Sequence, residues 1–512
     1  MSHDNYGFTG SMVTVDVNKT KSTSANANLN ANVANAASNN KYPTKDGANN
    51  GFYVVELEDK GKLAKEDAES YEPYLHREVQ HPTTFWETLL HLMKGSLGTG
   101  ILAMPHAFKN SGWVVGIIGT IIVGLLCTYC IRLLLNAHYE LCKRRQVPSM
   151  TYPRTMQVAL EEGPTCLRGF AKYCPHVTNA FLLIYQLGTC CVYTVFIAVN
   201  LSEVINHYTA PYVVNQKYIM LATLLPLILI NWVRNLKLLV PLSTIANVIT
   251  LGSFGIILYF LFNRGFSFEG AVAVGEFGNF PLFLGTVLFS LEAIGVIMPL
   301  ENEMKKPKKF MTPFGVLNIG MAINVILYVG MGFFGYIRYG DKVEGSITTN
   351  LSKSLVPQSA EVYLAQAVQV MLAIAIFVTH SLQCYVAIDI SWNEYIQPKL
   401  SHYSERAQLY REYAVRTAIV IFTFIVAVIV PELDLFISLF GALCLSALGL
   451  SFPALMQTCT FWKTASRRTR AFMLAKNGSL ICFGVLALFI GTSTSISKIV
   501  EKFGETPATG AH

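Results

Sequence analysis

The chain has 512 residues, of which 52% are hydrophobic and only 14% are charged, and its mean hydropathy is +0.41. This composition leaves too little polar surface for a water-soluble protein, so we expect the chain to lie in a lipid bilayer. The net charge of +7 does not form one basic patch, because the Lys and Arg residues are spread through short loops between apolar segments. No nucleic-acid partner is therefore expected.

The first 80 residues differ from the rest of the chain. They contain the biased run NANLNANVANAASNN followed by a mixed-charge stretch, and no apolar core follows Met1 as it would in a signal peptide. So few apolar groups cannot offset the entropy of ordering the backbone. The sequence predicts a disordered cytoplasmic tail over 1–80, an eleven-helix membrane domain over 81–500 and a short carboxyl-terminal tail over 501–512.

Apolar runs of about 20 residues, enough to cross a hydrocarbon core ~30 Å thick, recur along the chain. The fourth run is short, and the two runs around Pro431 are separated by a predicted reversal at 431–434. The sequence therefore predicts an all-α membrane protein with eleven spans, at 85–108, 112–136, 177–203, 218–232, 239–262, 280–300, 312–337, 361–388, 413–430, 434–459 and 478–497.

Charge in the loops predicts the orientation of these spans. With the amino terminus inside, basic clusters such as 143–145, 305–309 and 467–470 fall in cytoplasmic loops, which hold a roughly threefold excess of Lys and Arg over the outer loops. The carboxyl terminus is then extracellular or lumenal. The sequon Asn350-Leu351-Ser352 falls in an outer loop, where glycosylation of Asn350 is expected.

Span one contains the run HLMKGSLGTGILAMPHAFKNSGW, which is poor in helix-forming residues. Gly95, Gly98 and Gly100 each cost ~1 kcal/mol relative to Ala in a helix, and Pro105 removes a hydrogen bond, so backbone groups should leave the helical ladder here. Close packing of helices on small residues is the alternative explanation. A phosphate-binding loop is excluded, since neither GKS nor GKT follows the glycines.

Span six, FPLFLGTVLFSLEAIGVIMPLENEMKKP, repeats the pattern with Gly295 and Pro299. It comes five spans later, as expected when two five-helix halves are related by inverted topology. Paired interruptions of this kind indicate a binding site near the bilayer midplane in a transporter.

Two titratable residues lie beside these interruptions. Glu292 is a carboxylate within the apolar run of span six, where a charge is costly and a role in proton binding is the expected reason for it. His91 shares a helix face with Glu87 and Lys94 just before the break, and imidazole titrates near physiological pH. The alternatives are that Glu292 neutralises a cation or ties down backbone, and that His91 is a satisfied interfacial side chain.

Further polar residues occur within spans, and each could line a cavity or simply join two helices by hydrogen bonds. They are Gln186, Tyr193, Asn247, Asn324, His380, Gln383 and Tyr385.

Three motifs, HLMKGSLGTGILAMPHAFKNSG, QLGTCCVYTVF at 186–196 and LEAIGVIMPLENEMKKP, resemble those of the proton-coupled amino acid transporters of the amino acid/auxin permease family. The resemblance covers roughly residues 80 to 500. It implies a LeuT-type fold in which spans one to five and six to ten form inverted repeats and the eleventh is peripheral. It also implies small neutral substrates such as glycine, alanine or proline, and proton coupling at His91, with Glu292 in the second motif.

Two departures limit what the resemblance implies. Leu291 stands before Glu292 where family members often carry an aromatic residue, which leaves substrate preference open. The outer loops also lack the cysteines that some members pair.

A zwitterionic amino acid needs donors for its carboxylate and acceptors for its ammonium group. We expect freed N–H groups around Ser96, Gly98, Thr99 and Gly100 to bind the carboxylate. Carbonyls near Phe289, Ser290 and Gly295 are expected to bind the ammonium group, with Tyr193 covering the site.

The expected function is therefore amino acid transport by alternating access, with the proton as coupling ion and no cofactor or metal. An amino-acid sensor with little flux and a proton-independent facilitator are alternatives, and signalling partners are unknown. A channel would need a repeated filter sequence, and an enzyme would need a motif such as HExxH or GxSxG, neither of which is present. The chain is expected in the plasma membrane, the endolysosomal membrane or both.

Overall fold

The computed structural model describes residues 71–79, 81–234, 236–263, 265–291, 294–353, 359–400 and 402–504. Within these ranges the chain is helical, and its β-type pairing is limited to an isolated bridge between Thr83 and Met304. The all-α class is thereby confirmed for this part of the chain.

The helices follow one another with short connections. Their bounds are α1 Phe85–Ser96, α2 Thr99–Ser111, α3 Trp113–Arg145, α4 Tyr152–Glu162, α5 Thr165–Arg168, α6 Cys174–Thr209, α7 Gln216–Asn231, α8 Leu236–Phe262, α9 Phe280–Leu291, α10 Ile294–Glu303, α11 Val316–Tyr339, α12 Ile347–Lys353, α13 Ala360–Asp389, α14 Glu405–Ile429, α15 Leu433–Phe440, α16 Phe452–Thr460 and α17 Arg467–Gly504. Two π-helical segments, Ile390–Ile396 and Gly441–Ser451, and short 3₁₀ turns complete the described structure.

Nine helical stretches of the described chain are long and apolar enough to cross a membrane, so the chain is a multi-pass membrane protein. They are Trp113–Arg145, Cys174–Thr209, Pro241–Phe262, Phe277–Glu303, Val316–Lys342, Ala360–Leu400, Glu405–Ile429, Leu433–Thr460 and Arg467–Gly504. The apolar helix α7 is shorter, and α1 and α2 are two short helices in place of one long one. Several helices extend past the predicted spans because a helix can continue into the polar headgroup region.

The last part of the predicted tail is folded. Residues 1–70 lie outside the described chain, but 71–79 include a 3₁₀ turn, Pro73–Leu75, and their side chains contact α10. This differs from the prediction of disorder up to residue 80, because Tyr74 and Arg77 find polar partners on the rest of the chain. At the other terminus α17 continues to Gly504, and 505–512 lie outside the described residues.

Local sequence accounts for where the first helices begin and end. Thr84 and Glu87 form a capping box that starts α1, each side chain accepting a hydrogen bond from the other residue's N–H. Gly112 separates α2 from α3 with φ of +80°, a conformation that favours glycine, and a Cβ there would lie 2.5 Å from the carbonyl oxygen of Ala273. The predicted interruption near Pro431 is also present, since α14 ends at Ile429 and α15 begins at Leu433.

Pro105 and Pro299 lie inside α2 and α10 and do not end them. Each lacks an N–H, so one carbonyl four residues earlier has no helical donor: Ile101 in α2 and Gly295 in α10. Membrane helices tolerate such a loss where neighbouring helices surround the freed group.

The core lies where α2, α9 and the α15 region meet, and small residues permit the approach. A Cβ on Gly441 would overlap the carbonyl of Gly285, and one on Gly285 would overlap the carbonyl of Ser438. These helices therefore touch backbone to backbone, as small residues allow in membranes.

The close approach at Gly441 predicts a strong effect of adding one methyl group. Gly441→Ala should destabilise the fold by about 1–3 kcal/mol, because the methyl must push two backbones apart. Gly255→Ala on α8 is the matched control, since no atom lies within 4 Å of its Cβ position. Thermal melting of the detergent-solubilised protein should drop for the first variant and not for the second, and equal melting temperatures would refute the packing described here.

Candidate functional site

The predicted interruption of the first apolar segment is present at Leu97 and Gly98. Helix α1 ends at Ser96, α2 begins at Thr99, and Leu97 and Gly98 between them have non-helical dihedral angles. Pieces of 12 and 13 residues thus replace one continuous span. Backbone groups at such a gap need partners, because lipid offers none.

The end of α1 offers acceptors. The Ser96 carbonyl accepts hydrogen bonds from the Tyr328 hydroxyl and from the N–H of Gly98, 3.0 Å away. The Ser96 hydroxyl donates to the Leu92 carbonyl at 3.2 Å, and its N–H belongs to the helical ladder. This differs from the expectation that Ser96 and Gly98 supply free N–H groups, since both N–H groups are already engaged.

The start of α2 offers donors. The first N–H groups of a helix, here those of Thr99, Gly100 and Ile101, have no acceptor within the helix. The preceding residue is Gly98, which has no side chain to cap them. Thr99 is 2% exposed, and among the described residues its Oγ1 has no hydrogen-bond partner. A buried helix start with open donors can bind an anion such as a carboxylate.

The second predicted interruption, near Glu292, stays a prediction because Glu292 and Ala293 lie outside the described residues. On either side of them the chain is helical, with α9 described to Leu291 and α10 from Ile294. In α10 the Gly295 carbonyl lacks a helical donor because Pro299 has no N–H. Among the described residues, no atom lies within 4 Å of the Cβ position of Gly295.

The structure brings the end of α9 against the start of α2. A Cβ on Gly100 would lie 2.7 Å from the Ser290 Oγ and 2.8 Å from its Cα, so only glycine permits this approach. The Ser290 hydroxyl donates to the Thr286 carbonyl at 2.7 Å. The open donors at the start of α2 therefore lie beside the last described turn of α9.

Two tyrosines flank the break. The Tyr193 hydroxyl lies 3.8 Å from the Cβ position of Gly98, and the Gln383 side chain on α13 is a neighbour of this hydroxyl. Tyr328 lies near Tyr193 and donates to Ser96 from the other side. Sequence analysis missed Tyr328; the available signal was its position four residues after Asn324, on the same face of α11.

Phe289 supplies an apolar wall. Its side chain is 7% exposed, its ring makes an edge contact with Tyr185 at 6.0 Å between centroids, and its Cβ lies 3.0 Å from the Cβ position of Gly441. The predicted binding residues Gly98, Thr99, Gly100, Tyr193, Phe289 and Ser290 are thus placed around one region.

His91 lies in the middle of α1 and is half-buried, with Lys94 and Glu87 as its electrostatic neighbours. It precedes Leu97 by six residues, about 9 Å along a helix axis. Glu87, on the same predicted face, is exposed and caps α1 through Thr84. Glu292, which is predicted to act with His91 in proton coupling, lies outside the described residues.

Asn350 is buried in α12, where it is 5% exposed. Its Nδ2 donates to the Lys342 carbonyl at 2.8 Å, and its Oδ1 accepts from the Glu344 N–H at 3.0 Å. A glycan on Nδ2 would require this buried side chain to become accessible, and glycosylation of Asn350 stays a prediction.

The other intramembrane polar residues have mixed environments. Asn247 donates to Ser243 of its own helix, and His380 hydrogen-bonds with Asn231 between α13 and α7 at 3.4 Å. Asn324 is fully buried, and within the described chain neither amide atom has a partner. A hydrogen bond between two helices therefore explains why His380 lies within a span, but it does not explain Asn324.

A contact missed in the sequence closes the end of the bundle where α1 begins, which we call the α1 end. The Tyr74 hydroxyl donates to Glu301 Oε1 at 2.6 Å, and Arg77 donates to the carbonyls of Glu301 and Met304. Burial, together with the Glu301 carboxylate, raises the pKa of Tyr74 above its ordinary value. The segment before α1 is thus fastened to the end of α10.

Glu72 extends this closure. Its carboxylate lies 2.7 Å from the Lys308 ammonium group and accepts from the Tyr139 hydroxyl at 3.0 Å. Although burial acts to raise it, the pKa of Glu72 is lowered by these two partners. Through Glu72 the segment therefore joins α3 to the 3₁₀ turn Pro307–Lys309 that follows α10.

Comparison with known proteins places this geometry in context. The family model described as "Transmembrane amino acid transporter protein" matches residues 81–497. The chain is 36% identical over 440 residues to the proton-coupled amino acid transporter-like protein pathetic of Drosophila melanogaster, covering 86% of this chain and 90% of the relative. It is 25% identical over 424 residues to the probable amino acid transporter skat-1 of Caenorhabditis elegans, covering 81% and 90%.

The Tyr328 hydroxyl should contribute measurably to the stability of the break. Tyr328→Phe removes a donor from a buried carbonyl and should cost about 1 kcal/mol. Tyr363→Phe, on an exposed position of α13, is the control. Melting of the purified protein should shift only for the first variant, and an equal shift for both would contradict the role assigned to Tyr328.

Proposed function

Because the chain belongs to the transmembrane amino acid transporter family, we propose that it carries small neutral amino acids such as glycine, alanine and proline across a membrane together with protons, by alternating access. Its family is one of transporters and not of enzymes. Our proposal concerns the small size of the substrate and the coupling of its transport to protons.

The observation that carries the proposal is the set of open N–H donors at the start of α2, which lie against the last described turn of α9. The N–H groups of Thr99, Gly100 and Ile101 would bind the substrate carboxylate, helped by the positive end of the α2 dipole. Carbonyls at Phe289, Ser290 and Gly295 would bind the ammonium group. A zwitterion satisfies both sets at once, which neither an anion nor a cation alone does.

Substrate size would follow from the walls of this region. Gly98 faces the Tyr193 hydroxyl, and Gly100 is already in contact with Ser290, so little room remains for a long side chain. Phe289 offers an apolar surface to a methyl group or a proline ring. Tyr193 would cover the bound amino acid.

We further propose a LeuT-type arrangement of eleven spans in two inverted five-span repeats with a peripheral eleventh. The α1–α2 pair and helix α7, added to the nine long stretches, would supply the eleven. The two short helices before and after residue 98 support the repeat, and so does the occurrence of a proline inside both α2 and α10.

Proton coupling would use His91 and Glu292. A proton arriving from the acidic side would neutralise Glu292 or charge His91 and so favour the loaded transporter. Lys94 and Glu87 are the electrostatic neighbours of His91. The protonation of His91 therefore depends on where these two side chains lie.

The orientation that we propose places the amino terminus in the cytoplasm and the carboxyl terminus outside or in the lumen, in the plasma membrane, the endolysosomal membrane or both. The basic run 305–309 lies at the α1 end, which would then be cytoplasmic. Tyr74, Arg77 and Glu301 would close that end, and release of their contacts would open the site to the cytoplasm.

The function is tested by uptake into proteoliposomes that contain the purified chain. Labelled glycine, alanine, proline, leucine and glutamate are offered with and without an inward proton gradient, and protein-free liposomes serve as the control. We expect uptake of the three small amino acids, stimulated severalfold by the gradient. Equal uptake with and without the gradient would indicate a facilitator, while binding without uptake would indicate a sensor.

His91→Ala should separate coupling from folding. We expect gradient-stimulated uptake to fall about a hundredfold, the lower end of the effect of a lost proton-transfer group, while the amount of protein at the surface stays close to that of the wild type. His402→Ala, at an exposed position after α13, is the control variant. Full stimulation in His91→Ala protein would remove His91 from the coupling mechanism.

A further inference from the structure

A second titratable pair lies at the end of α2, on the side of the break away from the α1 end. His106 Nε2 on α2 and Asp434 Oδ2 in the first turn of α15 are 3.8 Å apart. Their side chains are 17% and 20% exposed, so both are largely shielded and still reachable by water. His106 follows Gly98 by eight residues, about 12 Å along the axis.

The other charges around this pair are engaged with different partners. Lys109 donates to the carbonyls of Asp341 at 2.7 Å and Val343 at 3.2 Å, and Lys502 pairs with Glu432 at 2.7 Å. These three charged side chains, with Asp434, are the ones that act electrostatically on His106. Within the described chain, His106 is the side chain that can bring a positive charge within 4 Å of Asp434.

Asp434 lies where a negative charge is favoured. It is in the first turn of α15, at the positive end of the helix dipole. Its Oδ1 also lies 3.1 Å from the Cβ position of Gly345, in the connection between α11 and α12, so Gly345 leaves room for the carboxylate. The variable in the pair is therefore the proton on His106.

An imidazole can gain a proton in acid, so this pair is attractive when His106 is protonated and loses its positive member when it is not. The two helices that it joins both reach the site. The start of α2 carries the open donors, and α15 leads into Gly441, which touches Gly285 on α9. A change in the attraction between His106 and Asp434 therefore acts on both sides of the binding region.

We propose that His106 and Asp434 form a second proton site at the carboxyl-terminal end of α2, on the side of the membrane that we call the α2 side. A proton from the adjoining solution charges His106, and the charged side chain draws α2 against α15 over the bound substrate. The inference rests on the proposed proton-coupled transport and adds a residue to it that lies on the opposite side of the break from His91. The proton enters from water as the pair closes and returns to water when the pair separates.

Four full-length proteins test this in the proteoliposome assay, with pH on the α2 side varied from 7.5 to 5.5: wild type, His106→Gln, Asp434→Asn and the exchange His106→Asp with Asp434→His. Wild-type uptake should rise severalfold with acid. Each single variant should lose at least half of that rise, and the exchanged protein should regain it. The exchange keeps the test decisive if one single variant folds poorly.

His106→Lys gives an independent readout, because lysine keeps its charge across this range. We expect uptake that no longer varies with pH on the α2 side and is reduced at pH 7.5. His207→Lys, near the end of α6, is the control for adding a positive charge.

The outcomes separate the two levels of the proposal. A wild type that responds to acid and a His106→Gln variant that responds equally would overturn the role of His106 and leave proton-coupled transport standing. Wild-type uptake independent of pH would overturn the coupling, and with it this second site.

Discussion

The structure depends on one constraint: a polar backbone group within a bilayer must have a partner. Helix α1 stops at Ser96 and α2 starts at Thr99 in the middle of an apolar segment. The backbone N–H and carbonyl groups at this gap therefore need hydrogen-bond partners that lipid does not offer. Tyr328 satisfies the Ser96 carbonyl from the protein side. In the function that we propose, the N–H groups at the start of α2 bind the substrate carboxylate, and this would explain why the chain keeps a break that costs stability.

The same constraint organises the surrounding helices. Gly100 lets α9 approach the start of α2, and Gly285 and Gly441 let α9 approach the segment after α15. The contacts of Tyr74 and Arg77 at the α1 end, and the His106–Asp434 pair at the other end, lie on opposite sides of this region. In the proposed transport cycle these two sets of contacts would open and close access to the site between them.

Sequence analysis predicted the parts of this arrangement that follow from local composition. Glycines around residue 98 predicted the break, and apolar length predicted the helices, because both depend on residues close in the chain. It missed Tyr328 and Tyr74, whose partners lie 232 and 227 residues away. It also assigned a free N–H to Ser96, since sequence does not tell which residue of a glycine-rich run ends the helix. Asn350 likewise lies in a sequon, but its burial depends on tertiary packing, which the local sequence does not predict.

The most direct measurement is an electron cryo-microscopy map of the purified full-length chain with bound alanine, compared with a map without it. The account predicts density for the amino acid between the N–H groups of Thr99 to Ile101 and the end of α9, with a helical gap retained at Leu97 and Gly98. A continuous helix through residues 97 and 98, or alanine bound elsewhere with this gap empty, would contradict it.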